Sequence, residues 1–154
     1  MPATSRRVSP RLTKAEYGLL AAFRYRLRRF LQFSEEAAQT AGLTPRQYQA
    51  LLAIKGFPQR ERVTIGELAE QLQIVHHAAV ELVDRLSAQK LVERQNDLGD
   101  RRKVFVKLSR TGSKILEKLA AAHRQELRRL GPHLLPLLEN LSLDEDRTKP
   151  AAER

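Results

Sequence analysis

Apolar residues recur every three or four positions through most of this chain, and they alternate with polar ones only between about 91 and 109. That change of period predicts a helical protein interrupted by one small β-hairpin. The first helical stripe runs through Leu20, Phe23, Leu27, Phe30 and Leu31, and Gly42 is placed to end it. A second helix buries Tyr48, Leu51 and Leu52 and stops at Gly56 and Pro58. After a polar loop over 59–62, a short helix carries Leu68, Ala69 and Leu72. The next, over about 75–89, buries Ala79, Leu82, Val83 and Leu86. A long helix from 109 or 111 shows Ile115, Leu116, Leu119, Ala122, Leu127 and Leu130, ends at Gly131-Pro132, and is followed by an apolar helical segment over 133–141.

Three helix starts carry a Thr followed three residues later by Glu or Gln: Thr13 with Glu16, Thr44 with Gln47, and Thr64 with Glu67. In such a capping box each side chain accepts from the other residue's backbone amide, which satisfies two donors that have no partner inside the helix. Pro45 adds a residue suited to a first turn.

Between 91 and 109 the strands read LVERQ and KVFVKLS, joined by NDLGDRR. Two short helices, a strand, a charged loop and a second strand are the order of a winged helix-turn-helix, an architecture that holds one helix in a DNA groove. The predicted fold is therefore mainly α with a small β-hairpin wing. The winged helix-turn-helix occupies about 44–109 of a single domain over 13–143. Helices over about 13–42 and 110–141 flank it, and their apolar faces are large enough to pair two copies. Residues 1–12 and the charged 144–154 read as tails.

Composition narrows the functions. The chain of 154 residues has 28 Lys and Arg against 18 Asp and Glu, a formal charge of +10, which suits a polyanionic partner. It has no cysteine, which excludes disulfides, thiol catalysis and cysteine-ligated zinc. No secretory leader pattern and no apolar run of about 18 residues is present, so the expectation is a cytoplasmic protein with no membrane partner. There is no Gly-rich phosphate loop, nucleophile elbow, metal-ligand spacing or paired-carboxylate signature, so the chain reads as a binder, not an enzyme, with no cofactor.

The candidate DNA-binding residues lie on two elements. On the helix over 75–89 the face opposite the core shows His76, His77, Val80 and Glu81, assigned to the major groove. Adjacent helical positions point about 100° apart, so the two histidines do not suit one metal ion, and no metal site is assigned. In the loop, Asp100, Arg101, Arg102 and Lys103 form the wing. Arg suits a narrow minor groove because its charge is permanent and its planar fork donates several hydrogen bonds. A solvated turn is the plainer reading of the same Asp- and Gly-rich loop. Thr64 and Lys103 fall near phosphates.

The run from 43 to 112 resembles the MarR family of bacterial winged-helix regulators. The residues that carry the likeness are LTPRQYQAL, TIGELAEQL, VELVDRLSAQKLVER and NDLGDRRKVFVKLSRTG. The resemblance implies that Arg102 enters the minor groove while Asp100 braces it, and that 108–112 opens a dimerisation helix. It also implies a homodimer on double-stranded DNA with a palindromic operator, released by a small aromatic or anionic effector lined by Tyr25, Arg28, Tyr48 and His123. Two positions depart from the pattern. Lys90 stands where Gly is frequent, so a different exit turn is expected; Glu81 stands where a basic residue is frequent, and with Asp84 it makes the exposed helix face acidic. Asp84 is expected to pair with Arg85 or a wing Arg. A sequence-neutral architectural DNA-binding protein is the alternative that the basic charge and acidic face favour.

Overall fold

The computed structural model describes residues 11–143, with side chains to 141; the two predicted tails lie almost wholly outside these residues. Five helices and three strands follow in the order α1 (Lys14–Thr40), α2 (Pro45–Lys55), β1 (Arg62–Thr64), α3 (Ile65–Leu72), α4 (His76–Ala88), β2 (Val92–Asn96), β3 (Val104–Leu108) and α5 (Arg110–Leu143). The chain divides into two compact units, one of residues 31–126 and one of residues up to 30 together with those from 127. The helix pair and the hairpin both lie in the first of these.

All three capping boxes form. The Gln47 amide donates to Thr44 Oγ1 at 3.2 Å while the Thr44 amide donates to Gln47 Oε1 at 3.0 Å. Thr64 and Glu67 repeat the exchange at 3.2 and 2.8 Å. At α1 the Glu16 amide donates to Thr13 Oγ1 at 3.2 Å, and the Thr13 amide donates to the Glu16 carboxylate. As predicted, Gly42 ends α1 with a left-handed φ of 77°.

The core of the 31–126 unit gathers the fully buried Leu51, Ile54, Leu68, Val83 and Leu86 of the helices against Val63 and Val106 of the sheet. Burial of each such side chain contributes roughly 1.5–3 kcal/mol. β3 is the central strand of an antiparallel sheet ordered β1-β3-β2, with Val63 opposite Val106 and Arg94 opposite the same Val106 on the other side. β1 falls where a polar loop was expected to lead directly into a helix. Three residues are too few for alternation to register, and only the pairing of Val63 with Val106 reveals the strand.

Two other expectations are corrected. Leu52 is 43% exposed, because α2 buries Gln47, Tyr48, Ala50, Leu51 and Ile54, and Leu52 points about 100° from Leu51. α5 does not end at Gly131-Pro132 but runs 34 residues through both Pro132 and Pro136. Both prolines are exposed. A proline interrupts a helix by removing one amide donor and crowding the carbonyl four residues back, and on an exposed face water can satisfy the oxygen that lost its partner.

β3 buries Phe105 as well as Val106. The face that Phe105 occupies is covered by guanidinium groups: Arg62 lies 4.1 Å and Arg60 5.4 Å from its ring centroid, and Arg60 also lies 4.8 Å over Phe57. Arg60 in turn pairs with Glu67, the same carboxylate that caps α3. Burial pushes the Glu67 carboxyl up, but the Thr64 amide, the Arg60 guanidinium and the Thr64 hydroxyl outweigh it, so the net shift is downward.

Lys90 takes the left-handed conformation expected of glycine, with φ 59°. The Leu91 amide donates to Leu86 O and the Lys90 amide to Ser87 O, both at 2.9 Å, the pattern that closes a helix through a left-handed residue. The exit turn of α4 is therefore the ordinary one, made at a backbone cost. Immediately beyond, the Ser109 amide donates to Leu91 O at 3.0 Å, and the Ser109 hydroxyl donates to Lys90 O at 2.7 Å while accepting from the Gly112 amide at 3.0 Å. Gly112 packs so closely that a Cβ there would lie 2.0 Å from Leu91 O.

Three stability outcomes follow, each readable by urea denaturation. Lys90→Gly raises stability by about 1 kcal/mol, the left-handed cost less the entropy gained by the unfolded chain. Gly112→Ala lowers it by roughly 1–3 kcal/mol, because backbone must move to admit the methyl group. Glu67 has a folded pKa below its ordinary 4.5, so its contribution is present above that pH and is lost as pH falls through the folded value. Wild type therefore loses stability below about pH 4.5 more steeply than Glu67→Gln does; parallel pH profiles contradict this.

Candidate nucleic-acid interface

α4 spends one stripe on the core, burying Ala79, Leu82, Val83 and Leu86 against the rest of the 31–126 unit. The remaining surface is left to water. His76, His77, Glu81 and Asp84 are exposed and Val80 is half-buried. His77 Nε2 lies 3.3 Å from Glu81 Oε1 one turn on. Unlike the three box-capped helices, α4 starts at Val75, which offers no side-chain acceptor to the first-turn amides. Those amides point outward with the positive end of the helix dipole. Thr64, the remaining helix-side candidate, is half-buried between β1 and α3, with its oxygen committed to the Glu67 amide.

The wing is a structured loop. The Asp97 amide donates to Lys103 O and the Lys103 amide to Asp100 O, each at 3.0 Å, which closes the turn between β2 and β3. Asp100 Oδ1 accepts from the Arg102 amide at 3.0 Å and lies 3.8 Å from Arg102 Nε, so the carboxylate fixes the residue's backbone and stands beside its guanidinium. The Arg102 side chain itself is 97% exposed. Arg101 and Lys103 are exposed beside it, and Leu98 at the tip is fully solvated.

Asp84 of α4 pairs with Arg94 of β2, a bond between the outward helix and a strand of the wing. Of the two partners expected for Asp84, this answers to the wing side and not to Arg85. It offsets one acid on the exposed face, as His77 stands beside the other. Arg94 drew no notice in the sequence, although its place three residues after Leu91 in a strand facing α4 carries the signal. The Arg60–Phe57–Phe105–Arg62 cluster has no local signal in the sequence, because Arg60 lies in the loop before β1 and meets Arg62 only over the distant Phe105 ring.

The four candidate ligand residues fall in two places. Tyr48 and His123 stack at 4.3 Å with 20° between their rings, and Phe33 meets the imidazole edge-on at 5.5 Å. His123 Nδ1–H donates to Leu119 O at 2.7 Å, and Nε2 lies 2.8 Å from the Ser34 hydroxyl. Burial pushes the Tyr48 hydroxyl pKa up. Tyr25 and Arg28 belong to the other unit and are exposed, with Arg26 lying 5.8 Å over the Tyr25 ring. A cavity of about 470 Å³ within the 31–126 unit is walled mainly by Ala37, Ala41, Ile115, Leu119 and Ala122, with Thr40 and Lys118 as its polar groups. None of the four candidates lines it, though Leu119 joins this wall to His123. Among the described residues no three His, Asp or Glu side chains gather as a metal site would require, and no helix is long and apolar enough to cross a membrane.

A helix pair whose second member turns a polar face outward, followed by a hairpin with a braced cationic loop, defines a winged helix-turn-helix protein. Residues 41–103 match the MarR family model. The HTH-type regulator YsmB of Bacillus subtilis is 28% identical over 97 residues, 63% of this chain; the match spans 64% of that relative's length, just under two thirds. The structure of AbsC, a MarR family transcriptional regulator from Streptomyces coelicolor, superposes with a TM-score of 0.66 at 26% identity, covering 94% of this chain and 96% of that one. A Staphylococcus aureus MepR variant bound to an oligodeoxyribonucleotide shares the fold at 20% identity, with a TM-score of 0.63 over 90% of this chain and all of its own. Over residues 41–103 in sequence, and in its fold, this chain is thus similar to MarR family transcriptional regulators.

Proposed function

We propose that the protein regulates transcription by binding duplex DNA as a homodimer, with α4 in the major groove and the wing in the adjacent minor groove. One observation carries this. The same compact unit that leaves the outer face of α4 in water also braces Arg102, fully extended into solvent, on a loop tied to that helix through Arg94 and Asp84. His76, His77, Val80 and Glu81 then meet base edges, the uncapped amides of α4 meet phosphate, and Thr64 and Lys103 approach the backbone. Glu81 is suited to accept from a cytosine amino group. Arg101 and Arg102, with Asp100 as the brace, serve the minor groove.

Support for pairing comes from the other unit. Tyr17, Tyr25, Leu127, Leu135 and Leu138 are each between 44% and 59% exposed, apolar surface that pairing of two copies would take out of water. Two-fold pairing sets two recognition helices about 34 Å apart on a palindromic site. A small aromatic or anionic effector that prefers another spacing of the pair releases it. The cavity beside Lys118 is of a size and polarity to admit such a molecule, and His123, stacked on Tyr48, bonds the carbonyl of Leu119 in its wall.

Genomic fragments captured by the purified protein supply the target duplex. Arg102→Ala weakens binding to it and flattens the salt dependence by about one unit if a phosphate contact is lost. Unchanged affinity and slope remove the wing from the interface, and equal affinity for random DNA removes the operator. Replacing Leu135 and Leu138 together by Glu raises the dimer dissociation constant at least about ten-fold in sedimentation equilibrium, a change of roughly 1.4 kcal/mol; an unaltered dimer places the interface elsewhere.

A further inference from the structure

Between 41 and 109 five of the eleven Lys and Arg side chains already face a carboxylate. Lys55 stands by Glu61, Arg60 by Glu67, Arg94 by Asp84, Arg102 by Asp100 and Lys107 by Glu93. Arg46 and Arg85 do not: both are exposed, and neither makes an ion pair or a hydrogen bond among the described residues. These two unpaired cations line the same cleft. It measures about 170 Å³, lies between the start of α2 and the flank of α4, and is completed by Thr44, Gln47, Ala78, Glu81 and Leu82. Its floor is already satisfied, since Gln47 donates to Gln89 Oε1 at 3.1 Å and accepts from the Thr44 amide. Two unpaired guanidinium groups over a satisfied floor leave the cleft's donors for something outside the chain. The wall's one acid, Glu81, stands 3.3 Å from His77.

From these placements we infer that Arg46 and Arg85 clamp a backbone phosphate of the DNA duplex. The inference rests on the reading of α4 as the groove helix and extends it to a second helix. Ala78, Glu81, Leu82 and Arg85 form the side of α4 next to its outward face, with Glu81 belonging to both. A helix with its side chains is about 10–12 Å across and the major groove about 12 Å wide, so the flank of an inserted helix meets the groove wall, which is phosphate. The cleft opens at that flank. Guanidinium groups fit the task because a planar fork donates two hydrogen bonds to one phosphate. The Thr44 hydroxyl, whose oxygen accepts from the Gln47 amide, keeps its proton to donate. A clamp of this kind sets how deeply α4 sits without reading any base.

Fluorescence anisotropy on the captured target duplex and on a random duplex, across a series of potassium chloride concentrations, tests the clamp. Arg46→Ala and Arg85→Ala each reduce the salt slope by about 0.9 and weaken binding roughly ten-fold near 0.1 M salt, by equal factors on both duplexes. Arg46→Lys retains the slope, because a point charge still releases a counterion. Ala78→Glu, which adds an acid to the wall, weakens both duplexes as well. Since both arginines are exposed, unfolding midpoints stay at the wild-type value and separate a lost contact from a lost fold. A wild-type slope in the Ala variants overturns the clamp while leaving α4 and the wing in place, and so does a loss confined to the target sequence, which marks base reading. If the wild-type protein ignores every duplex at low salt, the parent reading fails and the clamp with it.

Discussion

The carbonyl of Leu91 is the point on which the rest of the 31–126 unit depends. Its own residue closes α4 by donating back to Leu86, and its oxygen accepts from the Ser109 amide where β3 gives way to α5. Gly112, in the first turn of α5, packs against the same oxygen with no space for a methyl group. The end of α4, the root of both wing strands and the start of the long helix thus meet at one peptide group. A buried backbone oxygen must be paired, and here the pairing also fixes the angle between three elements. Lys90 holds a left-handed conformation to bring this about, and the cost of that conformation indicates how little freedom the junction allows.

Electrostatics then select which surfaces stay free. A net charge of +10 is a weak signal by itself, because charge spread over a surface attracts any polyanion. The distribution of ion pairs is more informative. Carboxylates neutralise the cations that brace the sheet and the wing strands. Arg46 and Arg85 remain unpaired beside α4, and Arg102 extends into solvent with only its base held by Asp100. Of the acids that make α4 look unsuited to DNA, Asp84 is met by the Arg94 guanidinium, and Glu81 has the His77 ring 3.3 Å away. The acidic outer face is therefore compatible with groove entry.

Much of this was legible from residue order. Helix starts at Thr13, Thr44 and Thr64 could be read because a capping box is a local exchange between residues three apart. The wing was legible from alternation together with its turn residues. What escaped depended on partners distant in sequence. β1 exists because Val63 meets Val106, and Phe105 is buried because Arg60 and Arg62 cover it. Neither fact has a local period. Pro132 and Pro136 misled in the other direction, since a proline rule written for helix interiors weakens where the bared carbonyl faces water. The exit turn at Lys90 shows the same precedence, with tertiary packing overriding a residue's own preference. Of the candidate site, the outward face of α4 and the wing follow from pattern, while the Arg94–Asp84 link and the α2 cleft arise only where distant segments meet in the fold.

The central claim is that α4 and the wing engage one duplex as a single rigid unit. Amide hydrogen exchange, followed residue by residue as DNA is added, tests it most directly. The first-turn amides of α4 over 76–78 have no partner inside the helix, and those of the wing tip over 98–102 lie in a surface loop, so both sets exchange quickly in the free protein. The account predicts that both slow together, with one common dependence on duplex concentration. Protection of one set without the other, or of neither while binding is saturated, would contradict it.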